Sequence, residues 1–227
     1  MNSKFNTVIK AVAAAAAMVL SATSHAAITL GEVSSVDYFN SGATIYSHGG
    51  STGLTTWSLT GVDALAFCIQ PDVVADKTVG YGAGASYSAS DEVKALYETS
   101  YRDVVSAGGA YSANNAAAFQ LALWEMLDDH NYATGNMKLT NHMTGFDTDV
   151  DAVTTGAFVM LAKANDFVQN HGVAASYNYT AFSAAGSQGM LTVSAVPEAD
   201  TWAMMAVGLG LLGLVSRRKA DKSETFA

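Results

Sequence analysis

The sequence predicts an α+β domain: a β-sandwich- or barrel-like sheet with an inserted subdomain of about three helices. Three observations lead there. Runs rich in β-branched and aromatic residues, broken by turn residues, fill the stretch from Ile28 to Ile69. Three stretches of helical composition and spacing follow, between Asp91 and Gln169. Two more strand-like runs close the region, Ala175 to Phe182 and Met190 to Val196. Strands, then helices, then strands, with no internal repeat, argue for a helical insertion packed against one sheet system.

Taken in order, VSSVDYF, ATIYS and LTTWSLT read as the first strands. Ser41-Gly42 and His48-Gly49-Gly50 between them are turn signals. Val62 to Ile69 is more apolar, as expected of a central strand buried on both faces. Gln70-Pro71-Asp72 stops it, because proline cannot donate to a ladder. Thr78 to Ser90 is a Gly, Ser and Tyr loop without the GK[ST] of a phosphate loop. Ser90-Asp91-Glu92 opens a helix to Val105, with Gly108-Gly109 beyond its end. Asn114 to Asp129 is the second helix, with Asn114 or Asn115 as its cap. His130 to Thr144 is a polar connection. The third helix runs from about Val153 to Gln169, with Phe158, Leu161, Ala164 and Val168 as its apolar stripe.

One residue of the second helix is out of place. Gln120 has Ala116, Ala117, Leu123 and Trp124 as its neighbours three and four positions away. It therefore points where a core should be, and a buried amide without partners is costly. The candidate partner is the chain's single cysteine, Cys68, in the apolar run ALAFCI.

The chain has 227 residues and a net charge of −9. Between Ile28 and Val196 there are five Lys or Arg against sixteen Asp or Glu. That balance repels nucleic acid and anionic membrane surfaces. Residues 1–26 read as a signal peptide: Lys4 and Lys10, an apolar Ala11–Leu20, then Ser24-His25-Ala26 as the cleavage site. Cleavage after Ala27 and an uncleaved anchor are the alternatives. Residues 27–196 form the exported domain.

At the other end, Val196-Pro197-Glu198 precedes an apolar run from Ala203 to Val215 and then Arg217-Arg218-Lys219. The run is short for a membrane-spanning helix. The basic cluster belongs on the cytoplasmic side, which puts the domain across the inner membrane. VPEADTWAMMAVGLGLLGLVSRRK resembles, along its whole length, the PEP-CTERM sorting signal of Gram-negative bacteria. Ala199 stands where that signal usually has a second proline, and the tail beyond Lys219 is longer than usual. The resemblance implies recognition by an exosortase-type enzyme over residues 197–220. It implies transient anchoring in the inner membrane with 221–227 as a cytoplasmic tail, and delivery to the cell surface or extracellular matrix. A plain C-terminal anchor is the alternative.

A single cysteine in an exported chain forms no internal disulfide; it is buried and inert, paired with another molecule, or reactive. FCIQP followed by AAFQLALWEML resembles the Cys–Gln thioester domains of bacterial surface proteins. Gln120, Ala122, Leu123 and Trp124 match that family's helix motif, while Phe119 replaces its threonine. The resemblance implies a thioester between Cys68 and Gln120 that captures an amine or hydroxyl on a surface or an extracellular polysaccharide. The plain alternative is that both are core residues of a structural matrix protein. Glu125 is either an aid to proton transfer or a solvated helix residue. His48, His130, His142 and His171 fall in no hydrolase motif, and no His or Cys pair has metal-ligand spacing. Asp147, Asp149 and Asp151 alternate like calcium ligands, but Ala152 and Phe158 stand where an EF-hand needs Gly and Glu. An acidic start to the third helix is the better reading of them. A non-enzymatic protein without a cofactor is expected.

Overall fold

The strand-forming runs pair as β1 (Leu30–Ile45), β2 (His48–Leu59), β3 (Ala64–Cys68) and β4 (Ala85–Ser86) before the helices begin. Helices α1 (Asp91–Val104) and α2 (Ala113–Leu127), strand β5 (Met137–Leu139) and helix α3 (Thr148–His171) follow, then β6 (Tyr177–Ala184) and β7 (Ser187–Ala195). This computed structural model describes residues 27–45, 48–62, 64–105, 111–131, 133–139, 148–172 and 176–196, with 205, 207–209 and 211–212. The signal segment 1–26, Asp147, Pro197, Glu198, Arg217, Arg218 and Lys219 lie outside the described residues.

The chain is of mixed α+β class, as its pattern predicts. Among the described residues, seven strands form one sheet in the order β4-β6-β7-β3-β2-β1-β5, all pairs antiparallel. Among the described residues that order has two ends, β4 and β5, so the strands make one continuous sheet where the sequence suggested a sandwich or barrel. The central β3 is its seam. Ala64, Leu65 and Ala66 pair with β2, whereas Phe67 and Cys68 pair with β7.

Several local expectations shift. Ser41-Gly42 is not a turn: β1 runs through it, and the register jumps from Phe39↔Ser51 to Thr44↔Gly49. Extra residues on one strand of a pair make a bulge, and the small, flexible residues that signal a turn also suit a bulge. His48 already pairs with Ile45, so the glycines after it lie inside β2. The polar connection after α2 and the loop before α1 each contribute a short edge strand, β5 and β4. Helix α2 is capped by Ser112, whose hydroxyl accepts from the Asn115 N–H at 3.3 Å. Asn115 instead sends its side-chain amide to the Asp103 carbonyl at 2.7 Å. Helix α3 starts at Thr148, so Asp149 and Asp151 fall in its first turn. Met205, Val207, Leu209, Leu211 and Leu212 are helical and exposed, and no helix among the described residues is long and apolar enough to cross a membrane.

The three helices pack on one another, and α2 also touches β1, β2 and β3. Its faces are buried almost all round, from Ala116 to Met126. An aromatic cluster fixes it against the sheet. Phe119 lies 4.8 Å from Phe67 and 4.9 Å from Tyr97, ring centre to ring centre. Tyr97 also meets Tyr179 edge-on at 5.4 Å. Because Phe67 precedes Cys68 and Phe119 precedes Gln120, this ring pair sets the register of helix on strand.

Phe119→Ala should therefore cost about 3–5 kcal/mol, read by denaturant unfolding, through loss of buried surface and the cavity left. Tyr97 is fully buried and its hydroxyl has no partner among the described residues. Tyr97→Phe should leave stability unchanged or raise it by about 1 kcal/mol, since a desolvated, unpaired hydroxyl is removed. A loss above that size would mean the hydroxyl is bonded.

Candidate functional site

The seam in β3 creates the site. Side-to-side alternation along an antiparallel strand sends successive backbone groups to opposite neighbours. The Ile69 N–H goes to the Gly189 carbonyl at 3.0 Å, on the β7 side. The Cys68 N–H and C=O therefore face the β2 side, where β2 pairing has ended at Ala66. The Gln120 amide fills that place. Its Oε1 accepts from the Cys68 N–H at 2.8 Å, and its Nε2 donates to the Cys68 carbonyl at 2.9 Å. The Trp124 indole N–H donates to the same carbonyl at 3.0 Å. Gln120 and Trp124 lie one helical turn apart and reach one residue together.

Where β2 parts from β3 a cleft of about 250 Å³ opens. Thr55 and Trp57 of β2 form one wall, the loop from Val73 to Ala75 another, and Cys68, Gln120 and Trp124 line it too. Trp57 is held from outside by Lys77, whose Nζ sits 5.3 Å from the ring centre and pairs with Glu32. The Cys68 side chain is buried. Burial pushes its thiol up to about 12; the Gln70 N–H and the Trp124 side chain pull the other way, and the Asp72 charge adds to the rise.

Cys68 and Gln120 are thus brought together as the sequence suggested. Sequence reasoning missed Trp57, Gln188 and the Val73–Ala75 loop, which reach the cleft through tertiary folding. Gln70 was legible as part of the stop signal before Pro71 and of the FCIQP stretch, with no role of its own. Glu125 is neither solvated nor in the cleft. It is fully buried, and neither of its oxygens has a close hydrogen-bond partner among the described residues. Burial, then the nearby Asp129 carboxylate, push its pKa up to about 8. The backbone places Asp149 and Asp151 on a helix rather than in a calcium loop, and no metal-holding group of three acidic, His or Cys residues occurs among the described residues.

Glu125 makes a pH prediction. Its folded pKa lies above the ordinary carboxylate value of 4.5, so the folded state holds a proton that the unfolded state has lost. Stability should fall as pH rises from about 5 to about 8 and then level off. Thermal unfolding followed across that range should show this slope in the wild type and a flatter one in Glu125→Gln. Equal slopes would place the carboxyl in contact with water.

Among solved structures the chain is similar to the N-terminal domain of the Streptococcus pyogenes pilus tip adhesin Cpa, with a TM-score of 0.41 and 14% identity over 77% of this chain and 97% of that one. That similarity is too distant to carry a functional residue across. No curated protein matches the chain. Residues 195–219 match the PEP-CTERM protein-sorting motif. The chain therefore carries the signal for exosortase-dependent sorting to the cell surface, beginning at Ala195, where β7 ends.

Proposed function

We propose that this is a non-enzymatic surface protein whose domain attaches covalently to an amine or hydroxyl through a Cys68–Gln120 thioester. The observation that carries the reading is the clamp of the Gln120 amide on the Cys68 backbone, at the edge of a cleft. On this reading the Cys68 sulfur attacks Gln120 Cδ and a C–S bond forms. Negative charge develops on Oε1, which already accepts from the Cys68 N–H, a donor of the oxyanion-hole kind. The C–N bond then breaks, and Nε2 leaves as ammonia with the proton that the thiol gave up. A nucleophile later adds to the same carbonyl, and Cys68 leaves as the thiol after one turnover.

The high thiol pKa opposes the first step. A pKa of about 12 leaves roughly one thiolate in 10⁵ at neutral pH. Groups held in contact gain an effective concentration of about 10⁵–10⁸ M, which offsets that deficit. A second reading has its own support. Both polar atoms of the Gln120 amide are satisfied by Cys68 backbone groups, as a purely structural surrogate strand requires. The domain is then an inert element of an extracellular matrix.

Intact mass separates the two. A thioester lowers the mass of the purified protein by one ammonia, methylamine adds back one methylamine, and Cys68→Ala shows neither change. An unshortened mass with a titratable thiol would leave the structural reading. The sorting arm is tested apart from this. On the same proposal the Ala203–Val215 run anchors the chain until the exosortase-type enzyme removes the tail. Replacing Pro197 and Glu198 with alanine should then hold the full-length mass in the membrane fraction, whereas normal release would show that another segment is recognised.

A further inference from the structure

The chain leaves the sheet immediately after Cys68, and Gln70 governs how it does so. In a regular antiparallel pair the Ile69 N–H and the Gly189 N–H would each reach the other residue's carbonyl. Here Ile69 keeps its half of the exchange, at 3.0 Å from the Gly189 carbonyl. The Gly189 N–H instead goes to Gln70 Oε1, at 2.8 Å. The Gln70 side chain has taken the place of a main-chain acceptor. That substitution lets the backbone turn one residue early, ahead of Pro71. The turn is closed further on by the Val73 N–H on the Gln70 carbonyl, at 3.1 Å. Its result is that the Gln70 N–H points at Cys68 Sγ, at 3.3 Å.

The fit at the clamp is close. A Cβ added at Gly189 would stand 3.2 Å from Gln70 Oε1 and 3.4 Å from its Cδ. The Gln70 side chain is exposed, so burial of its own apolar atoms does not explain its fixed placement. The cleft beside the sulfur is lined by uncharged residues, among them Thr55, Trp57, Val73, Val74 and Gln188. With no cationic side chain among those lining residues, the Gln70 backbone N–H is the donor placed to favour charge on the sulfur.

We propose that Gln70 is a positioning residue for Cys68: its side chain, anchored on the Gly189 N–H, holds its own backbone N–H on Sγ and so sets the reactivity of that sulfur in the cleft. A hydrogen bond to a developing thiolate is of the charge-assisted kind, stronger than one to the neutral thiol, so it favours the anion. The direction of the Gln70 contribution to the thiol pKa agrees with this. The consequence for acyl transfer rests on the thioester reading above; the effect on the sulfur does not.

The test treats the full chain with methylamine first, so that Cys68 is a free thiol in every sample whether or not a thioester had formed. The rate of alkylation by iodoacetamide is then followed from about pH 7 to pH 10, with melting temperature recorded alongside. Gln70→Met keeps the side-chain length and removes the acceptor. It should slow alkylation by roughly tenfold across that range, the size expected for loss of one charge-assisted hydrogen bond. Gln169→Met, the same change at an exposed position on α3 away from the cleft, should react at the wild-type rate. Gly189→Ala, which crowds the clamp and leaves Gln70 in place, should also react more slowly than wild type. A wild-type rate in folded Gln70→Met overturns the proposal, and so does an equal slowing in Gln169→Met. The mass before methylamine treatment reports separately on the thioester, so failure of one reading is not mistaken for failure of the other.

Discussion

A strand that loses its neighbour leaves backbone donors and acceptors that must be satisfied elsewhere. In β3 this happens between Ala66 and Phe67, where pairing passes from β2 to β7. The Cys68 N–H and C=O are buried at that point, and leaving both unpaired would cost about 1–3 kcal/mol each. A primary amide is the one side-chain group that carries a donor and an acceptor spaced like a backbone peptide, and Gln120 supplies it. The position of α2, the cleft beside it and the surroundings of the single thiol all depend on this exchange.

The remainder of the helical insertion can be read as the support for that contact. Ser112 caps α2 at its start, and Phe119 locks it laterally against Phe67 and Tyr97. Tyr101 and Tyr177 extend the ring cluster toward α1 and β6. Aromatic pairs of this geometry add specificity beyond their buried area, because edge and face carry opposite charge. Phe119, the departure from the threonine of the motif the sequence resembles, thus serves packing. At the C-terminal end the same helix holds Glu125, a carboxyl pushed up to about 8 by its burial. Below that pH its proton keeps a charge out of the core.

The site and the sorting signal are close along the chain. Met190 of β7 faces Cys68 across the ladder, and β7 ends at Ala195, the first residue of the sorting motif. The Val196 N–H is still bonded to the Ser176 carbonyl at 2.8 Å. The sorting motif thus begins on the last residue of the sheet.

What the sequence determined by itself is whatever depends on local periodicity and composition. The apolar run ending at Pro71, the helical spacing of α1 to α3 and the closing strands were legible because each is set by residues near one another. The sorting signal was legible for the same reason, being a contiguous pattern. Gln120 was legible as an anomaly, since an amide on an apolar helix face demands a partner, and Cys68 was the partner it suggested. Only the tertiary structure decided that the amide meets the Cys68 backbone, because that follows from where β2 stops pairing. It also decided that Ser41-Gly42 is a bulge inside β1, that Glu125 is buried, and that Gln70 reaches Gly189 more than a hundred positions away. Those outcomes depend on which strands lie side by side, and side-by-side placement is fixed by long-range packing that no local pattern encodes.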